Sequence, residues 1–146
     1  ASGSGKSTIT HLLARFYLPE AGEILWGGTP IEAVLPVNIQ RGIDDRVEVP
    51  DGGKLDVLTT DHPILQGLEF DKDRIILGYN KVEAKPDAEV LIEVRGDVFL
   101  AVTEIGKGRS IAYTTDPVYH WCGNLHEWSH YGLFWERMAK WAARGI

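Results

Sequence analysis

Two short stretches carry residue types at spacings that chemistry can use. Gly3-Ser4-Gly5-Lys6-Ser7-Thr8 has the makeup of a triphosphate cradle. Glycines let successive backbone N–H groups converge on phosphate oxygens with no Cβ in the way. Lys6 would place a point charge on the β- and γ-phosphates, Ser7 would ligate Mg²⁺, and the following helix would add its dipole, so MgATP is the cofactor such a loop implies. The second stretch, His126-Glu127-Trp128-Ser129-His130, matches a zinc-protease motif. On a helix, its two histidines would share a face and hold the metal, with Glu127 as general base.

These chemistries need elements to position them. Ile9, Leu12, Leu13 and Phe16 form the apolar stripe of a helix after Lys6, which Pro19 and Gly22 end. The glycine that opens the full phosphate-loop pattern, and the strand that feeds the loop, would fall ahead of Ala1. Two readings of residues 3–8 therefore stand, phosphate binding and a frayed, solvated terminus, with a fragment or processed product as an expectation. The zinc reading meets two objections. Cys122-Gly123-Asn124 and Gly132 favour loop over helix, and Glu136 is too near to serve as a third ligand; no metal site is expected.

Further strands are expected at Glu23–Trp26, Val34–Ile39, Val47–Val49, Asp56–Thr60, Ile75–Tyr79 and Val90–Val94. Pro50-Asp51-Gly52-Gly53 reads as a turn and His62–Leu65 as a turn entering a short helical piece. Val98–Ile105 and Arg109–Thr115 form a hairpin across Gly106-Lys107-Gly108. The chain then ends in an amphipathic helix over 131–144 with Phe134, Met138 and Trp141 on one face.

With 146 residues, 44% apolar and 25% charged, the chain can bury a core without staples. A net charge of −6 without a basic run argues against nucleic acid as a partner. No stretch is long and apolar enough for membrane insertion. Cys122 is the single cysteine, which excludes an internal disulfide and suits a cytoplasmic location.

Residues 1–26, through the phrase Arg15-Phe16-Tyr17-Leu18-Pro19-Glu20-Ala21-Gly22-Glu23-Ile24, resemble the Walker A region of an ABC-transporter nucleotide-binding domain. The family's signature loop has no counterpart here. The nearest match to its Walker B strand, Ile111 to Asp116, lacks the catalytic glutamate because Pro117 follows. ATP hydrolysis by this chain alone is not expected. Residues 27–146 resemble a different family. Thr29–Val37, Asp61–Leu68, Gly78–Val82, Glu104–Arg109 and Trp128–Trp135 are, in that order, phrases of the C-terminal half of a class I glutamine amidotransferase-like family.

This second resemblance implies an α/β fold. It would be part of a flavodoxin-like three-layer domain with a mixed sheet, a C-terminal β-hairpin and a terminal helix. The nucleophile of true amidotransferases belongs to the half that is not matched, so a chimeric or fused chain is the expectation. In amidotransferases a histidine follows a late strand, with a glutamate two residues on. His120 stands at that place and Cys122 stands where the glutamate would be. His120 and Cys122 as base and nucleophile, with Glu127 beside them, are the catalytic candidates; the alternative for Cys122 is an inert, buried thiol. A small-molecule pocket near His120–Trp128 and assembly into a homo-oligomer are the expected non-catalytic roles. Trp121, Trp128, Trp135 and Trp141 would serve such a pocket, an interface or the core.

Overall fold

A computed structural model describes residues 30–40 and 43–146. Residues 3–8, the helix expected after them and the strand expected at 23–26 lie outside the described residues.

Helix α1 (Pro30–Val34) and strand β1 (Val37–Ile39) open the described chain. A strand over the whole of Val34–Ile39 was expected. The helix instead runs to Val34 and the chain turns extended at Pro36, since the residue before a proline avoids the helical region. Lys85 donates its ammonium to the carbonyls of Glu32 and Ala33 at the helix end, a favourable place for a cation.

Strand β2 (Arg46–Val57) is continuous where sequence suggested two strands and a turn. Arg46 to Glu48 pair with Asn80 to Gly78 of β3 (Ile75–Asn80), and Gly53 and Lys54 with Ile76 and Ile75. Five steps along β2 thus oppose two along β3. Pro50-Asp51-Gly52-Gly53 is a bulge, with Gly52 at φ 87°, a conformation glycine tolerates. Beyond the bulge, Leu55–Val57 leave β3 and pair with β5 (Glu89–Val94).

Strands β4 (Val82–Ala84), β5, β6 (Asp97–Ile105) and β7 (Gly108–Tyr113) follow. The sheet order is β3-β2-β5-β6-β7, with β1 and β4 as a separate pair. Every strand pair among the described residues is antiparallel, in place of the mixed sheet expected. The connections explain this for β5–β6–β7, because two-residue loops at Arg95-Gly96 and Gly106-Lys107 are far too short for a parallel crossover. Arg95 and Gly96 both have positive φ, 56° and 80°, which matches the right-handed twist of a tight hairpin.

Val98 to Thr103 of β6 are all buried, as in a strand covered on both faces. Phe99, Leu100 and Val102 belong to the larger core with Ile76, Leu91, Phe134, Met138 and Trp141. Val98 and Ala101 join Val37 in a smaller core under β1 and β4. Helix α2 (Tyr131–Ala142) lies on the larger core and buries Phe134, Met138 and Trp141, as their spacing predicts.

The turn at 62–68 fills the remaining side of that core with Ile64, Leu65 and Leu68. His62 holds the turn: its Nδ1 accepts from the Ile64 N–H at 3.2 Å, and its ring lies 5.2 Å from that of Trp141. Burial, with Arg109 nearby, lowers its pKa below 6.5. The folded state therefore takes up this proton later than the unfolded chain does. As pH falls below about 6.5, stability should drop until the lower folded value is passed. A His62→Asn variant keeps a short acceptor for the turn but cannot titrate. Its urea midpoint should fall less than the parent's between about pH 7.5 and pH 5.5.

Candidate functional site

Between the end of β7, the start of β2 and the β1–β4 pair lies an open cleft of about 680 Å³. Its lining mixes apolar residues, among them Val37, Val82, Ile111 and Ala112, with polar ones, among them Asp45, Asn80, Asp116 and His120. Local bonds fix the polar residues. Asn80 donates from Nδ2 to Asp45 Oδ1 at 3.0 Å, and its N–H donates to Thr114 O at 2.8 Å. Thr115 Oγ1 donates to Gly78 O at 2.6 Å. Another cleft, of about 700 Å³, lies by β2 and residues 68–74. Its Arg74 is already committed to Asp71, Glu127 and the carbonyl of Asn124.

His120 Nδ1 lies 3.0 Å from Asp116 Oδ2, which also accepts from the Trp121 N–H at 3.3 Å. The imidazole stacks along Trp121, with centroids 6.0 Å apart and planes at 19°, and stays largely exposed. A carboxylate on Nδ1 fixes the tautomer and leaves Nε2 as the basic nitrogen. Trp121 is seated by the absence of a side chain on Gly78: a Cβ there would stand 2.6 Å from the indole ring. The Leu77 N–H donates to Trp121 O at 2.7 Å. Asn124 completes the clamp on β3, accepting from the Ile75 N–H at 2.8 Å and donating to Asp73 O at 3.1 Å.

Cys122 points the other way. It is fully buried, with Sγ 3.6 Å from the Tyr131 hydroxyl, which itself donates to Pro117 O at 2.8 Å. Burial, only partly offset by hydrogen bonds, raises the thiol pKa above 9.0, so it stays protonated near neutral pH. Burial likewise pushes Tyr131 up to about 12 and Tyr113 well above its usual range. Among the described residues, the Tyr113 hydroxyl, enclosed beside Cys122 and Tyr131, has no hydrogen-bond partner. A nucleophilic thiol needs the thiolate and access, and the burial of Cys122 works against both.

Glu127 is exposed and pairs with Arg74 at 3.6 Å. The three catalytic candidates therefore fall into separate sets: His120 with Asp116, Cys122 with two tyrosines, and Glu127 with Arg74. Of the metal-like motif, His126 and Glu127 sit in one turn of 3₁₀ helix (Leu125–Glu127), Trp128 is extended, and His130 caps α2. His126 and His130 thus do not share a helical face. Among the described residues no three His, Cys, Asp or Glu side chains converge on a metal position. Residues 3–8 lie outside the described residues. Asp116 was missed as a site residue; its signal was the four-residue spacing to His120.

A family model described as "Putative glutamine amidotransferase" matches residues 19–144. Two solved structures are similar. One is the cytoplasmic protein STM3548 from Salmonella typhimurium, with a TM-score of 0.74 and 29% identity over 80% of this chain and 47% of that one. The other is the cytoplasmic protein STM1381 from Salmonella typhimurium LT2, with a TM-score of 0.72 and 35% identity over 78% and 46%. A multidrug resistance ABC transporter ATP-binding and permease protein of Lactococcus lactis subsp. cremoris (strain MG1363) is 67% identical over 33 residues, which are 23% of this chain and 6% of that protein. The chain thus spans about half the length of the solved neighbours and a small part of the transporter. Among the described residues no helix is long and apolar enough to cross a membrane.

Proposed function

The chain belongs to the glutamine amidotransferase-like family, with the α/β fold of part of a flavodoxin-like domain, and on that premise we propose that it binds a small amide or amino-acid ligand in the cleft at His120 without hydrolysing it through Cys122. The observation that carries this reading is the divergence of the two groups. His120 is oriented by Asp116 at the cleft, while the Cys122 thiol is sealed away and held protonated. His120 offers the ligand Nε2, Asp45 and Asp116 offer carboxylate oxygens to an amino group, and Val37, Val82 and Ile111 take the aliphatic part.

L-Glutamine is the probe. It should shift the His120 ring resonances, and His120→Ala should weaken its binding by roughly tenfold, a loss in the range of one charge-assisted hydrogen bond. No glutamate should form, and Cys122→Ser should bind as the parent does. Release of glutamate that disappears in Cys122→Ala would make Cys122 a nucleophile and overturn the reading.

A second reading rests on the 67% identity over 33 residues to an ABC transporter ATP-binding protein. Gly3, Ser4, Gly5, Lys6, Ser7 and Thr8 would then hold the phosphates of MgATP. Titration with MgATP should stabilise the parent but not Lys6→Ala; an equal, flat response in both removes this reading.

A further inference from the structure

In the cleft at His120, the charged and hydroxyl donors are already spent on the protein, whereas the carboxylates are not. Thr114 Oγ1 donates to Val98 O at 3.0 Å and Thr115 Oγ1 to Gly78 O at 2.6 Å, so both hydroxyl protons are used within the fold. Arg46 is the one cation among the described residues of the lining, His120 aside. Its Nε and Nη2 hold Asp44 at 2.8 and 2.6 Å. The fields of Asp44, Asp45 and Glu48 all reach its guanidinium, so its charge is outnumbered.

Each carboxylate of the lining is tied through one oxygen. Asp45 Oδ1 accepts from Asn80 Nδ2 at 3.0 Å. Asp116 Oδ2 faces His120 Nδ1 at 3.0 Å and accepts from the Trp121 N–H at 3.3 Å. These bonds fix where each group stands. They leave Asp45 Oδ2 and Asp116 Oδ1 without a partner among the described residues. With its Nδ1–H on Asp116, His120 presents Nε2 as a further acceptor. A ligand here meets acceptors and negative charge beside the aliphatic side chains of Val37, Val82 and Ile111.

We propose that the cleft selects its ligand by charge: it takes a primary ammonium group at Asp45 and Asp116 and discriminates against a carboxylate, so its ligand is an aliphatic amine that carries no acid group. The selection rests on the function proposed above and names its ligand class. An ammonium ion brings three donors and no acceptor, which complements what the lining has left unspent. A carboxylate brings acceptors alone and comes up against two like charges. Arg46 could hold it only by giving up Asp44. For L-glutamine the α-amino group therefore helps and the α-carboxylate hinders.

Two relatives of L-glutamine separate these contributions. γ-Aminobutyramide is glutamine without its α-carboxylate, and glutaramic acid is glutamine without its α-amino group; both keep the amide. NMR titration of the full chain at about pH 7, where amine and acid are both ionised, should rank γ-aminobutyramide first, glutamine second and glutaramic acid last. The outer two should differ at least roughly tenfold in Kd. Asp45→Asn keeps an oxygen for Asn80 and loses the charge, so it should weaken γ-aminobutyramide roughly tenfold and leave glutaramic acid no weaker. Asp44→Asn keeps an acceptor for the Arg46 N–H but loosens the guanidinium, so it should tighten glutaramic acid by roughly threefold. Circular dichroism confirms that each variant is folded. Glutaramic acid bound as tightly as γ-aminobutyramide overturns the charge selection and leaves the ligand reading standing; a ranking unmoved by Asp45→Asn overturns the selection too. If none of the three compounds binds, the ligand reading falls and the selection falls with it.

Discussion

Phe134→Ala is expected to lower the stability of the fold by about 3–5 kcal/mol, the range for emptying a fully buried aromatic site. Phe134 is completely enclosed. Its ring meets those of Phe70, Trp128 and Tyr113 at centroid distances of 6.0, 5.9 and 6.4 Å. These neighbours come from three places: the turn region before β3, the irregular segment before α2, and β7. Truncation therefore leaves a hole that no single element can collapse to fill. Since whole domains are stable by only about 5–15 kcal/mol, the variant should sit close to unfolding at room temperature. Urea denaturation measures it, with a lower midpoint and a slope near the parent's. Leu133→Ala, one residue earlier on a far more exposed part of the same helix, should cost less than about 1 kcal/mol. Equal losses in the two variants would mean that α2 does not dock by the face described.

The helix could be read from sequence because Phe134, Met138 and Trp141 recur at helical spacing, and tertiary packing uses that spacing directly. The β6–β7 hairpin was legible for a similar reason: Gly106-Lys107 is a turn that needs no outside partner. The segment Pro50-Asp51-Gly52-Gly53 was not, because a turn and a bulge use the same residues. What decides between them is whether β3 runs alongside both halves of β2, and it does. The site divides in the same way. His120 was found by its place after a late strand. Its Asp116 contact needed the loop to be folded back on β3, which depends on Trp121 lying against Gly78 some forty residues earlier. Cys122 looked like a partner for His120 because it stands where the resemblance to amidotransferases puts a glutamate. Its actual surroundings, Tyr113 and Tyr131, are each nine residues away and arrive from β7 and α2, so the burial of the thiol is a tertiary fact.

Gly123→Ala should cost about 2–5 kcal/mol, and its effect should reach the cleft. Two separate penalties act there. Gly123 has φ of 57°, a left-handed conformation that costs a side-chain-bearing residue roughly 1–2 kcal/mol. A Cβ would also stand 2.5 Å from the carbonyl oxygen of Ile75 and 3.3 Å from its carbonyl carbon. That obstacle is backbone inside β3, so it cannot rotate away, and overpacking of this kind adds roughly 1–3 kcal/mol. Gly67 separates the two penalties, because it has φ of 70° but a Cβ there would meet nothing within 4 Å among the described residues; Gly67→Ala should show the conformational cost alone. The excess in Gly123→Ala then measures how tightly residues 121–124 are pressed against β3. Relief of the clash must lengthen the bonds from the Ile75 N–H to Asn124 and from the Leu77 N–H to Trp121. Trp121 stacks along His120, and the Gly123 N–H itself donates to His120 O at 3.4 Å, so the His120 ring resonances should shift as well. If Gly123→Ala proves no more costly than Gly67→Ala, the loop is not clamped to β3, and the geometry that separates His120 from Cys122 loses its foundation.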